Sequence, residues 1–85
     1  MTKTAEQKYF ENFFNEKQLP YETFEIEHNG QMHFVEMDFV IELIKTAPRP
    51  EQMQIRNTLV KIDFVNGNVN HFLKFLAESY IKMNY

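Results

Sequence analysis

Three histidines, His28, His33 and His71, are the candidate general bases of this 85-residue sequence. No pair of them is spaced four apart on one helical face, and none adjoins a Ser or Asp in an arrangement that would activate a nucleophile. Glu25 and Glu27 are paired carboxylates at strand spacing, which puts both on the same side of an extended segment, as in a glycosidase or metal site. His33 beside either glutamate would give a metal two or three surface ligands without an outer shell to orient them, which is a weak site. A chain this short with one small hairpin also leaves little room for a concave pocket of ~300 Å³ around those carboxylates. The expectation is therefore a non-enzymatic protein with no metal site and no cofactor.

Charge is more informative than any catalytic pattern. Residues 1–21 are neutral, with Lys3, Lys8 and Lys17 against Glu6, Glu11 and Glu16. Residues 22–42 carry Glu22, Glu25, Glu27, Glu36, Asp38 and Glu42 with no Lys or Arg, a net of −6. The remainder is basic, at +3, so that the whole chain carries −3. A block of one sign creates a local field that attracts a basic protein surface and repels nucleic acid, so Glu25, Glu27, Glu36 and Asp38 are expected to form a partner-binding surface. The competing reading is edge protection, in which glutamates on a hairpin discourage sheet-to-sheet aggregation.

A segment after Pro48-Arg49-Pro50 offers a rival chemistry. On a helical wheel Gln54, Asn57, Thr58 and Lys61 share one polar face, and these side-chain types can read base edges, with Arg49 or Arg56 reaching phosphates. Such a helix would be the second member of a helix-turn-helix regulator. Against this stand the double proline in place of a glycine-containing turn and the acidic block. The same wheel carries two apolar stripes, Ile55, Leu59 and Ile62 on one side and Met53, Val60 and Phe64 nearly opposite. A helix apolar on both sides of a small domain leaves one side for a partner, so Met53, Val60 and Phe64 are expected at an interface, such as that of a homodimer.

Five elements or more must position these groups. Thr4-Ala5-Glu6-Gln7 has capping-box form and starts a helix whose aromatic face is Tyr9, Phe10, Phe13 and Phe14, ending at Leu19-Pro20. Residues 21–37 then alternate around Asn29-Gly30, a hairpin signal. A three-residue loop, His28-Asn29-Gly30, pairs Ile26 with Met32 and Phe24 with Phe34 and so gathers four apolar residues on one face, leaving Glu25, Glu27, Gln31 and His33 on the other. Asp38 is the expected N-cap of a second helix with Phe39, Val40, Leu43, Ile44 and Ala47 inward. Pro50 is expected at the first position of a third helix that closes before Gly67. Asn68 caps a fourth with Val69, Phe72, Leu73, Leu76, Tyr80 and Met83 inward and Lys74, Glu78 and Lys82 outward.

The predicted architecture is a single α+β domain of order α-β-β-α-α-α, in which an N-terminal helix and a two-stranded antiparallel hairpin pack on a three-helix unit. The absence of cysteine excludes disulfide scaffolds and thiolate chemistry and fits a reducing, cytoplasmic setting. No apolar run approaches the ~20 residues of a membrane span. Nine Phe and four Tyr argue against disorder, and the preference for Phe, Tyr, Ile, Asn and Lys fits AT-rich coding in a low-GC bacterium or its phage. Together these features predict a small interaction or regulatory protein that blocks or modulates a protein partner, with helix-turn-helix DNA binding as the alternative.

Overall fold

Helix α1 (Ala5–Glu16) begins at the capping box: the Gln7 backbone N–H donates to Thr4 Oγ1 at 3.1 Å, and the Thr4 N–H donates to Gln7 Oε1 at 3.0 Å. Two of the donors left unpaired at a helix start are thereby satisfied. The helix belongs to a computed structural model that describes residues 3–65 and 68–85, the side chains of 63–65 excepted. The element order is that predicted, with β1 (Thr23–His28), β2 (Gln31–Glu36), α2 (Met37–Thr46), α3 (Arg49–Val65) and α4 (Val69–Asn84) following α1. Phe10 and Phe13 of α1 are buried, and Tyr9 and Phe14 pack beside them.

The hairpin corrects the predicted register. β1 pairs with β2 as Phe24 to Val35, Ile26 to His33 and Glu27 to Met32, around a two-residue Asn29-Gly30 loop. Asn29 and Gly30 both take positive φ, 54° and 78°, as a type I′ turn demands. Its twist matches that of the strands, and this local preference, with the burial of Val35, outweighs the gain from gathering Phe24, Ile26, Met32 and Phe34 on one face. The inner face therefore holds Phe24, Ile26 and Val35 with the half-buried His33, and Met32 and Phe34 point outward beside Glu25 and Glu27. Gly30 has open space where a Cβ would stand, so Gly30→Ala meets only the backbone strain of the left-handed region. A loss of about 1 kcal/mol in chemical denaturation is expected.

α2 follows β2 without a connecting loop. Glu36 occupies its N-cap position without a side-chain bond and Asp38 lies in the first turn, so Asp38 is not the cap. Met37 is already helical and buried, and seating it against the core starts the helix before Asp38. Phe39, expected inward, is 43% exposed, whereas Val40 and Ile44 are buried. Ala47 and Pro48 lead to α3, in which Pro50 is the second residue and not the first; its missing N–H is one the first turn leaves unpaired in any case. Gly67 lies outside the described residues. Asn68 stands at the N-cap of α4 but makes no side-chain cap bond.

The core is shared by all six elements. Leu59 of α3 and Val69, Leu73, Ala77 and Ile81 of α4 are buried at its centre, with Ile55 and Ile62 beside Leu59. The i, i+4 spacing of the α4 stripe runs straight down one side, so Met83, expected inward, is 84% exposed. The hairpin packs on α4 and α2, and α1 packs on α3 and α2.

Candidate functional site

Three of the four predicted acidic residues, Glu25, Glu27 and Glu36, share one face. In the observed register Thr23, Glu25 and Glu27 of β1 face outward with Met32, Phe34 and Glu36 of β2. Each outward glutamate of β1 stands directly across from an apolar side chain, Glu25 from Phe34 and Glu27 from Met32. Phe34 is 65% exposed and Met32 49%. Asp38 is exposed one helical residue beyond Met37, next to this face in sequence. Partial burial of its phenol, then the charges of Glu36 and Asp38 and a hydrogen bond to Glu36, hold the nearby Tyr21 above the ordinary tyrosine pKa. The acidic field of the hairpin thus acts on a neighbouring group.

Beside that face runs an open groove of about 390 Å³, which neither Glu25 nor Glu27 lines. Residues 33–36 of β2 form one wall, and Phe39, Tyr80, Ile81 and Tyr85 form the other. Phe39 meets Tyr80 edge to face at 5.1 Å between centroids, and Tyr85 lies over His33 at 4.7 Å. His33, expected on the polar face, is therefore a half-buried inner residue packed on an aromatic ring. His28 is half-buried next to the turn, with its Nε2 3.2 Å from the Asn29 amide nitrogen, and His71 is exposed on α4. Among the described residues no three His, Asp or Glu side chains gather where they could hold a metal ion.

The residues of α3 divide three ways. Gln54, Asn57 and Lys61 are exposed, and Thr58, half-buried, donates its hydroxyl to the Gln54 carbonyl at 3.0 Å. Met53 and Val60 are about half exposed, so an apolar side of α3 faces solvent as predicted, whereas the side chain of Phe64 lies outside the described part. Arg49 and Arg56 are occupied within the protein. Glu6 of α1 is buried, and its two carboxylate oxygens accept from Arg49 Nε at 3.1 Å and Arg56 Nη1 at 3.3 Å.

Gln52, one turn from each arginine, is buried too and donates to the Lys45 carbonyl at 2.9 Å, which also accepts from Gln7 Nε2 at 3.2 Å. That carbonyl belongs to the last turn of α2, where no intrahelical donor remains. The network joins α1, α2 and α3, and its two arginines are those the sequence offered to DNA phosphates. Arg49, Gln52 and Arg56 are spaced i, i+3 and i+7, the one sequence signal that they share a face.

No family model matches the chain, and no curated protein or solved structure matches it. Among the described residues no helix is long and apolar enough to cross a membrane.

Proposed function

We propose that this chain is a small, non-enzymatic interaction protein that acts by occupying the surface of a protein partner, and that the outer face of its hairpin is the contact. The observation that carries the reading is the placement of Met32 and Phe34, solvent-facing and each directly across from a glutamate. A sheet face that only needed solubility would carry polar residues there, while apolar anchors ringed by charge are the usual composition of a docking patch. The acids of residues 22–42 suit a partner with a basic surface, and composition suits a bacterial or phage regulator of the blocking type. Met53 and Val60 on α3 offer a second apolar surface, suited to a homodimer.

The charge arm of the proposal is tested by Glu25→Lys with Glu27→Lys. Exposed carboxylates outside caps and networks change stability by less than ~0.5 kcal/mol, so the melting temperature should be nearly unaltered. Association with a partner recovered from the native host should slow at least about tenfold, and the wild-type rate should fall with salt as screening shortens the field to ~10 Å at 0.1 M. A salt-independent rate, or wild-type binding by the double reversal, returns these glutamates to edge protection. Retardation of random duplex DNA at low salt would favour α3 as the working surface instead.

A further inference from the structure

The register determines which backbone groups of β2 are used. With a two-residue loop, His28 and Gln31 form the closing hydrogen-bonded pair, so Ile26–His33 and Phe24–Val35 exchange hydrogen bonds and the pairs between them do not. The Met37 N–H donating to the Glu22 carbonyl at 3.2 Å extends the same alternation past the strand ends. Hence the N–H and C=O groups of Met32 and Phe34 point away from β1. Neither residue has a backbone partner outside the ladder among the described residues.

Free edges are normally guarded by lysine, proline, a bulge or an inward-pointing charge. From Gln31 to Val35 the second strand has none of these, and its pairing with β1 is unbroken. The first strand carries two charges, Glu25 and Glu27, and the second only Glu36 at its end. The groove follows the unguarded edge, since four consecutive β2 residues line it and neighbours in a strand point to opposite faces. Its far wall supplies aromatic surface from Phe39 and Tyr80 for side chains of an added strand.

Charge selects the occupant. No Lys or Arg lines the groove and Glu36 does, and the strand and helix start that form its near side belong to the segment of residues 22–42 that carries −6. A second copy of this chain would bring the same acids against themselves, whereas a basic segment would find complementary charge.

We propose that the free edge of β2 accepts an extended, basic segment of a partner protein as a third strand, laid alongside β2 with its inward side chains over the aromatic surface of Phe39 and Tyr80. The proposal rests on the protein-docking reading above and specifies how the partner binds: main-chain hydrogen bonds to Met32 and Phe34, with alternate side chains in the groove.

The probe is the peptide acetyl-Arg-Val-Arg-Val-Arg-Val-Arg-amide, compared with the same peptide N-methylated at its three central residues and with a Glu-for-Arg version. Hydrogen exchange of the whole protein, read amide by amide, should show Met32 and Phe34 slowed at least tenfold at saturation. The N-methylated and acidic peptides should bind at least tenfold more weakly. Phe34→Pro should abolish the protection, because it removes an outward N–H that the hairpin does not use, while Phe34→Ala should retain it at Met32. If Phe34→Pro unfolds, the comparison of peptides on the unaltered protein decides. Equal binding of the N-methylated peptide, unslowed amides at saturation, or no saturable binding at millimolar peptide overturns strand addition. Binding that Glu25→Lys with Glu27→Lys removes, without slowing at Met32 and Phe34, leaves the outer-face reading standing and strand addition refuted. Protection at both amides, with partner association indifferent to the charge reversal, does the opposite.

Discussion

Replacing Arg49 and Arg56 together by alanine should lower the stability of the fold by about 3 kcal/mol, whereas Glu6→Gln should cost only about 1 kcal/mol. The asymmetry follows from burial. The Glu6 side chain is 5% exposed, while those of Arg49 and Arg56 are 66% and 35% exposed. Taking away the carboxylate lets both guanidiniums return to water, and screening already limits what each pair contributes. Taking away both guanidiniums leaves a buried carboxylate without a cation. The figure is set at the lower end of the range for broken buried pairs because the arginine ends are solvated. In a domain of this size 3 kcal/mol corresponds to a fall of roughly 12–24 °C in melting temperature. Each single arginine variant should fall well short of half the double loss, since the remaining guanidinium still serves Glu6. Thermal and urea denaturation of the four variants checks the ordering; a Glu6→Gln loss equal to or larger than that of the double arginine variant would show that the guanidiniums depend on the carboxylate more than it depends on them, against the burial argument.

The order of elements was legible because its signals are local. Thr4 with Gln7, Asn29 with Gly30, and proline between the second and third helices each act within a few residues, and each appears where the residues alone place it. The strand register was misjudged for an instructive reason. Gathering Phe24, Ile26, Met32 and Phe34 on one face is the arrangement a folding protein with no other duty would take, yet the type I′ geometry of Asn29-Gly30 prevails and leaves two of the four in water. Departures from consistency between local and global preference concentrate at functional sites, so the failed expectation itself marks the face proposed for docking.

The partners of Glu6 were hidden for a different reason. Spacing alone shows that Arg49, Gln52 and Arg56 share a helical face, but that this face meets a carboxylate depends on how α1 lies against α3, which no local pattern encodes. The same holds for the groove, whose aromatic wall exists only because α2 lies against α4 and brings Phe39 to Tyr80.

Met32→Thr with Phe34→Thr should separate folding from binding more sharply than any other change in the molecule. Both side chains are largely in water, and threonine is as favourable as either in a strand, so neither the core nor the ladder loses a contact that matters. Stability should stay within about 0.5 kcal/mol of the parent, and solubility should rise as an exposed apolar patch is removed. Binding should respond in the opposite way. Apolar anchors at the centre of an interface commonly contribute about 2 kcal/mol each when truncated, which for the pair amounts to roughly a thousandfold in Kd if the effects add and somewhat less if they overlap.

This loss should appear chiefly as faster dissociation, because truncating an anchor leaves the long-range field of Glu25, Glu27 and Glu36 intact, whereas the charge reversals act on the association rate. The two sets of variants therefore separate the two roles of one surface. Kinetic binding measurements at two salt concentrations give both rates. A double threonine variant that keeps parental dissociation would move the docking surface elsewhere, with Met53 and Val60 on α3 the next apolar pair to truncate.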